Sequence, residues 1–149
     1  MATLSADLIW EVTRGNSSTL VKRKQAGGQQ FSRDRLNVKN RYSRKYEGLV
    51  SDKAIGVLPA ENGGVTLITK KNDKANSPAS QYQSSTFGSS SSSRKIYKSI
   101  ASSTAKRNYR PDLRKDAVAR ASAIRKSNKP VKESPEPKAR GAKAKKADA

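Results

Sequence analysis

Eight cations fall within residues 107–129: Arg107, Arg110, Arg114, Lys115, Arg120, Arg125, Lys126 and Lys129. At this density they suit one chemistry, the neutralisation of phosphates, which guanidinium groups can do in bidentate fashion. Tyr109 stands among them and could stack on a base or plug a bend in the chain. A second set is Lys22, Arg23, Lys24, Arg35, Lys39, Arg41 and Arg44; its later members, with Arg33 and Lys45, surround Tyr42 and Tyr46, a pattern that suits unpaired RNA. Phosphate contacts position a protein without reading sequence. A-form RNA hides its base edges in a deep groove, so such contacts dominate its recognition. Scattered cations of this kind fit one folded RNA better than a scan along DNA.

Other chemistry is thinly supplied. The chain has no cysteine and no histidine, which removes disulfides, thiolate and imidazole metal sites and the usual nucleophilic triads. Gly27-Gly28 and Gly63-Gly64 are isolated pairs without the spacing of a phosphate loop. Asp112 and Asp116 lie one helical turn apart, and helix dipole plus pairing with Arg120 accounts for them better than a metal or acid–base role. The expectation is therefore no enzyme, no metal and no cofactor. No apolar run approaches the roughly 18 residues of a membrane span, and the short apolar patch near the N-terminus follows no basic region of the signal-peptide kind.

A helix must position the main cation set. Pro111 suits a first helical position, Asp112 the positive end of the dipole, and Lys126 and Lys129 the negative end. With Leu113 at zero, Ala117, Ala121, Ile124 and Asn128 fall within about 80° on one side. The spacing predicts a thin seam of small residues docked on protein, with the other sides turned to phosphate. Ile96 and Ile100 predict a preceding helix over 94–106, and the residues before Pro111 an elbow at Tyr109.

Charge and apolar content divide the chain. Among 149 residues, 32 are basic and 12 acidic, a net charge of +20 whose natural partner is a polyanion. Residues 94–129 hold 12 basic and 2 acidic groups, half of the surplus on a quarter of the chain. Leu, Ile, Val and Phe number only 24, yet with Trp10 added, 18 of 25 fall within residues 4–68, so a modest core is expected there despite a disorder-prone composition. Ser5 caps a helix over 6–14. Residues 17–23 predict a strand, 24–45 a long loop pinned by Phe31, Leu36 and Val38, and 46–50 a short strand. A hairpin over 54–70 turns at Pro59 to Gly64, and 81–87 adds a further strand.

The expected fold is α+β: a small antiparallel sheet with an N-terminal helix on one face, then a basic two-helix arm and a disordered C-terminal tail. The expected divisions are a small α+β core over 1–87, a serine-rich linker over 88–93, a basic helical RNA-binding arm over 94–129 and a disordered basic tail over 130–149.

Ser5-Ala6-Asp7-Leu8-Ile9-Trp10, residues 17–23, Ile55-Gly56-Val57 with Pro59, the run from Tyr109 to Arg114 (YRPDLR), residues 120–124 (RASAI) and Lys129-Pro130-Val131 resemble the eukaryotic large-subunit ribosomal protein L-twenty-eight family. The similarity spans about residues 4–131, and the YRPDLR…RASAI block is its most specific part. The resemblance implies a structural constituent of the cytosolic large subunit. It implies binding to large-subunit ribosomal RNA and neighbouring ribosomal proteins, nucleolar passage during assembly, and neither membrane nor small-molecule substrate. A nucleolar ribosome-assembly factor with a related N-terminal domain is one alternative. A chromatin-type DNA-binding protein, suggested by the Lys/Ala/Pro tail, is another.

Overall fold

In the computed structural model, residues 4–74 and 76–134 are described; the tail expected to be disordered lies outside them beyond residue 134. Ser5 opens α1 (Ala6–Thr13), its hydroxyl accepting from the Asp7 amide at 3.3 Å. Strands β1 (Leu20–Arg23) and β2 (Gln29–Ser32) form a separate antiparallel hairpin, Val21 opposite Phe31. Gly27 and Gly28, at φ 65° and 72°, make the reversal, which side chains with a Cβ resist. The expected loop over 24–45 thus contains a strand. β2 carries a single apolar residue, so hydrophobic alternation gave no sign of it, and its backbone pairs regardless.

The main sheet has the order β3–β4–β5, all antiparallel, from β3 (Ile55–Pro59), β4 (Val65–Lys70) and β5 (Tyr82–Phe87). Val57 faces Leu67 across the first pair, and Leu67 faces Ser85 across the second. Alternation along β3 and β4 sends Ile55, Val57, Val65 and Leu67 to one face. That face carries α2 (Ser93–Ala101) and α3 (Arg114–Ser127), with Ile96, Ile100, Leu113, Ala117, Ala121 and Ile124 closing a single core together with Val38. Leu36, Ala54 and Ile68 form a smaller cluster with Leu58. Residues 33–38 cross β3 closely: a Cβ on Gly56 would lie 2.2 Å from the Arg35 carbonyl oxygen.

Between the two long helices the chain widens into a π turn at Ser102–Lys106, passes Asn108 at φ 50°, and re-enters helix through a 3-10 turn at Pro111–Leu113. Fully buried Thr104 donates its hydroxyl hydrogen to the Ile100 carbonyl at 2.9 Å.

Several expectations are corrected. The face assigned to the N-terminal helix belongs to α2 and α3, whose isoleucines and alanines reach the sheet closely. α1 buries none of its residues; Trp10 meets Tyr42 with ring centroids 5.0 Å apart, and Asp7 pairs with Arg44 at 2.8 Å. Residues 46–50 form turns rather than a strand. The Phe31 side chain is 42% exposed and anchors no core; it is the backbone of Phe31 that ties down the loop, through a bridge to Arg41. The division between 1–87 and 94–129 coincides with no gap in the packing, because one core includes residues from both. Nor is the serine run a free spacer: the Ser89 and Ser91 carbonyls accept from the Arg125 guanidinium at 2.8 and 3.2 Å.

Candidate nucleic-acid interface

The thin seam predicted from Leu113 to Ile124 is buried, so the remaining sides of α3 turn outward with their cations. The two carboxylates of residues 94–129 are already engaged. Asp116 accepts from the Tyr46 hydroxyl at 3.0 Å and lies 3.7 Å from the Lys39 ammonium. Asp112 takes a bidentate grip from Arg110 at 2.8–2.9 Å. That hydrogen-bonded guanidinium holds the Asp112 carboxyl below its ordinary range, against the opposing effect of burial. Neither pairs with Arg120, as the spacing had suggested: Asp112 is held by Arg110 two residues before it, and Asp116 by Tyr46 and Lys39 from distant chain. Twelve basic groups in this segment therefore meet two acids that are both occupied.

The predicted cations separate into two groups by what they touch. Arg110 also donates to the Lys45 and Lys53 carbonyls at 2.9 and 2.8 Å, tying the elbow to the loop before β3. Arg125 holds the serine turn, Arg44 reaches both Asp7 and the Ser51 hydroxyl, and Arg35 lies over the Tyr82 ring at 5.9 Å. Lys39 is shared between Asp116 and the Tyr46 ring. These five are engaged by other parts of the protein, with Arg35 and Lys39 still exposed. Tyr109 belongs with them. Its hydroxyl donates to the Lys70 carbonyl and accepts from the Ala54 amide at 3.2 Å, joining the elbow to the ends of β3 and β4. Burial pushes its phenol above the ordinary value, so it stays a neutral donor near physiological pH.

Arg107, Arg114, Lys115, Arg120, Lys126 and Lys129 make no ion pair or side-chain hydrogen bond among the described residues, nor do Lys22, Arg23, Lys24 and Arg41. All are exposed except Arg120, which is half-buried. Lys22 and Arg23 sit on β1 with Lys24 at its turn, away from α3 in the fold order. Arg107 borders a hollow beside β4 and β5, together with Lys53 and Lys71. Sequence reasoning passed over Arg94 and Lys98, which stand on one side of α2 and border α3 beside Arg114 and Lys115. Their i, i+4 spacing was the available signal.

One buried acid lies behind this surface. Glu47 is 2% exposed, and its Oε2 has no hydrogen-bond partner among the described residues. Burial first, and then the charge of Asp34, push its carboxyl up to about 6. Asp34 is itself fixed, accepting from the Leu36 and Gly48 amides at 3.0 Å. Because the folded state holds the Glu47 proton more tightly than the unfolded chain does, stability falls as pH rises from about 4.5 to about 6. Glu47→Gln is expected to raise stability by about 1–2 kcal/mol above pH 7 and to lose that advantage below about pH 4.5. Denaturant melts at both pH values check this; equal gains at both would assign the effect to packing.

Among the described residues no helix is long and apolar enough to cross a membrane, and no cluster of acidic side chains could hold a metal. Residues 8–127 match the ribosomal L28e protein family. The chain is 47% identical over 130 residues to large ribosomal subunit protein eL28 of Schizosaccharomyces pombe, covering 87% of this chain and 96% of that one. It is 33% identical over 130 residues to the protein of the same name in Dictyostelium discoideum, covering 85% and 93%. Against that of Caenorhabditis elegans it is 39% identical over 85 residues, covering 56% and 64%.

Proposed function

The chain belongs to the ribosomal L28e protein family, and from that premise we propose that it is a non-catalytic, structural constituent of the large ribosomal subunit in the cytoplasm. In this reading it binds folded ribosomal RNA through phosphates and touches neighbouring ribosomal proteins. The observation that carries the RNA part is the pairing pattern. Both acids of residues 94–129 are occupied, while Arg107, Arg114, Lys115, Arg120, Lys126 and Lys129 have no anionic partner among the described residues. A surface of that kind attracts a polyanion and releases its condensed counterions on binding. The homologues named for the large subunit support the assembly.

A polysome gradient of the tagged protein tests the reading. It is expected in mature large subunits, monosomes and polysomes, and to leave them only in high salt. Recovery solely in nucleolar precursor particles would replace this function with that of an assembly factor. In gel-shift competition, structured ribosomal RNA is expected to displace the protein from duplex DNA; the reverse order would point to chromatin.

A further inference from the structure

We propose that the trough between α2 and α3 receives one unstacked RNA nucleotide, its base on the Tyr97 ring and its flanking phosphates on the cations at the rim. This rests on the RNA-binding reading above and adds a mode of contact to it. The trough follows from helix geometry. Ile96 and Ile100 take the inner side of α2, so Arg94, Tyr97, Lys98 and Ala101, at i, i+3, i+4 and i+7, form the neighbouring ridge. On α3 the seam from Leu113 to Ile124 is buried, and Arg114, Lys115 and Val118 border it. Small Ala101 leaves room between the ridges, and the cavity measures about 730 Å³, within the range of about 300–1,000 Å³ found for small-ligand sites.

Its chemistry is divided in the way a nucleotide is divided. The floor is apolar: the half-buried Tyr97 and Val118, both packed on the core beneath, with Ala101 beside them. The rim carries Arg94, Lys98, Arg114 and Lys115, no acid lines it, and none of the four makes an ion pair among the described residues. A flat ring with a charged group on either side suits a floor one aromatic residue long. An acidic peptide helix would present several apolar side chains along its length, for which this floor is too short. A duplex could reach the rim but not the floor, because its bases are paired and stacked.

The test uses the full chain with two RNA probes: a short single-stranded oligoadenylate carrying one 2-aminopurine, and a blunt RNA duplex of matched length. Binding is expected to change the 2-aminopurine emission. Tyr97→Leu, which keeps an apolar floor but removes the ring, is expected to weaken single-strand affinity by about tenfold, with duplex affinity unchanged within about twofold. Ala101→Leu, which fills the trough while keeping the Tyr97 ring and the rim charges, is expected to act the same way and covers the case of a misfolded Tyr97 variant. Unchanged single-strand affinity in both variants, with duplex binding intact, overturns the nucleotide site and leaves the RNA reading standing. Wild-type protein that binds neither probe overturns the RNA reading itself. An oligoglutamate peptide of equal charge that displaces the single strand as well as unlabelled RNA, and loses this ability in Tyr97→Leu, reassigns the trough to a protein partner.

Discussion

Tyr109→Ala is expected to destabilise the fold by about 3–5 kcal/mol, a loss of roughly 10 °C or more in melting temperature for a chain of this size. The ring fills the elbow between the π turn and the 3-10 turn and packs on the core. Its hydroxyl ties that elbow to Ala54 before β3 and to Lys70 at the end of β4. Tyr109→Phe keeps the ring and leaves the Ala54 amide without its acceptor, for an expected cost of about 1–3 kcal/mol. Thermal melts followed by circular dichroism separate the two contributions. A phenylalanine variant that melts with the wild type would show that the hydroxyl bonds contribute nothing. RNA affinity gives the complementary reading: it should be unchanged in Tyr109→Phe, since the ring is turned into the protein rather than offered to a base.

Charge reversal should divide the arginines and lysines of the C-terminal segment into two behaviours. Reversing Arg107, Lys126 and Lys129 together is expected to lower affinity for large-subunit RNA by about two to three orders of magnitude near 0.1 M salt, and to flatten the log–log salt dependence by about 2–3. The melting temperature should stay near the wild-type value, because these three side chains have no partner to lose among the described residues. Arg110→Gln and Arg125→Gln should behave oppositely. The first releases the Lys45 and Lys53 carbonyls and leaves Asp112 unpaired, and the second frees the serine turn. Breaking charge-assisted bonds of this kind costs about 1.5–3 kcal/mol each, so the readout there is stability. If the triple reversal left affinity and salt slope intact, phosphate contact would have to lie on the other exposed cations: the trough rim of Arg94, Lys98, Arg114 and Lys115, or the β1–β2 hairpin with Lys22, Arg23 and Lys24.

These two outcomes sort residues that look alike in the sequence. Arg107, Arg110 and Arg114 stand at near-equal spacing in one cationic stretch, and nothing local distinguishes them. Arg110 differs because the elbow aims it at two carbonyls lying 57 and 65 positions earlier in the chain. The same holds for Arg125, whose partners are backbone carbonyls of the serine turn. Contacts of that range depend on where the fold brings distant backbone, not on residue type.

What the sequence determined by itself was whatever rests on local periodicity and on totals. The seam of Leu113, Ala117, Ala121 and Ile124 is set by the 3.6-residue repeat, and the β3–β4 hairpin by alternation about a glycine turn, so both were legible in one dimension. The cationic surplus and the lack of thiols and imidazoles are sums and need no fold. Tertiary structure alone decided which helices cover the sheet. Both α1 and α2 carry apolar residues at helical spacing, but only α2, with α3, meets the faces of Val57, Val65 and Leu67. It also decided which cations are already engaged, because a guanidinium finds a carbonyl or carboxylate only where the fold brings one within reach.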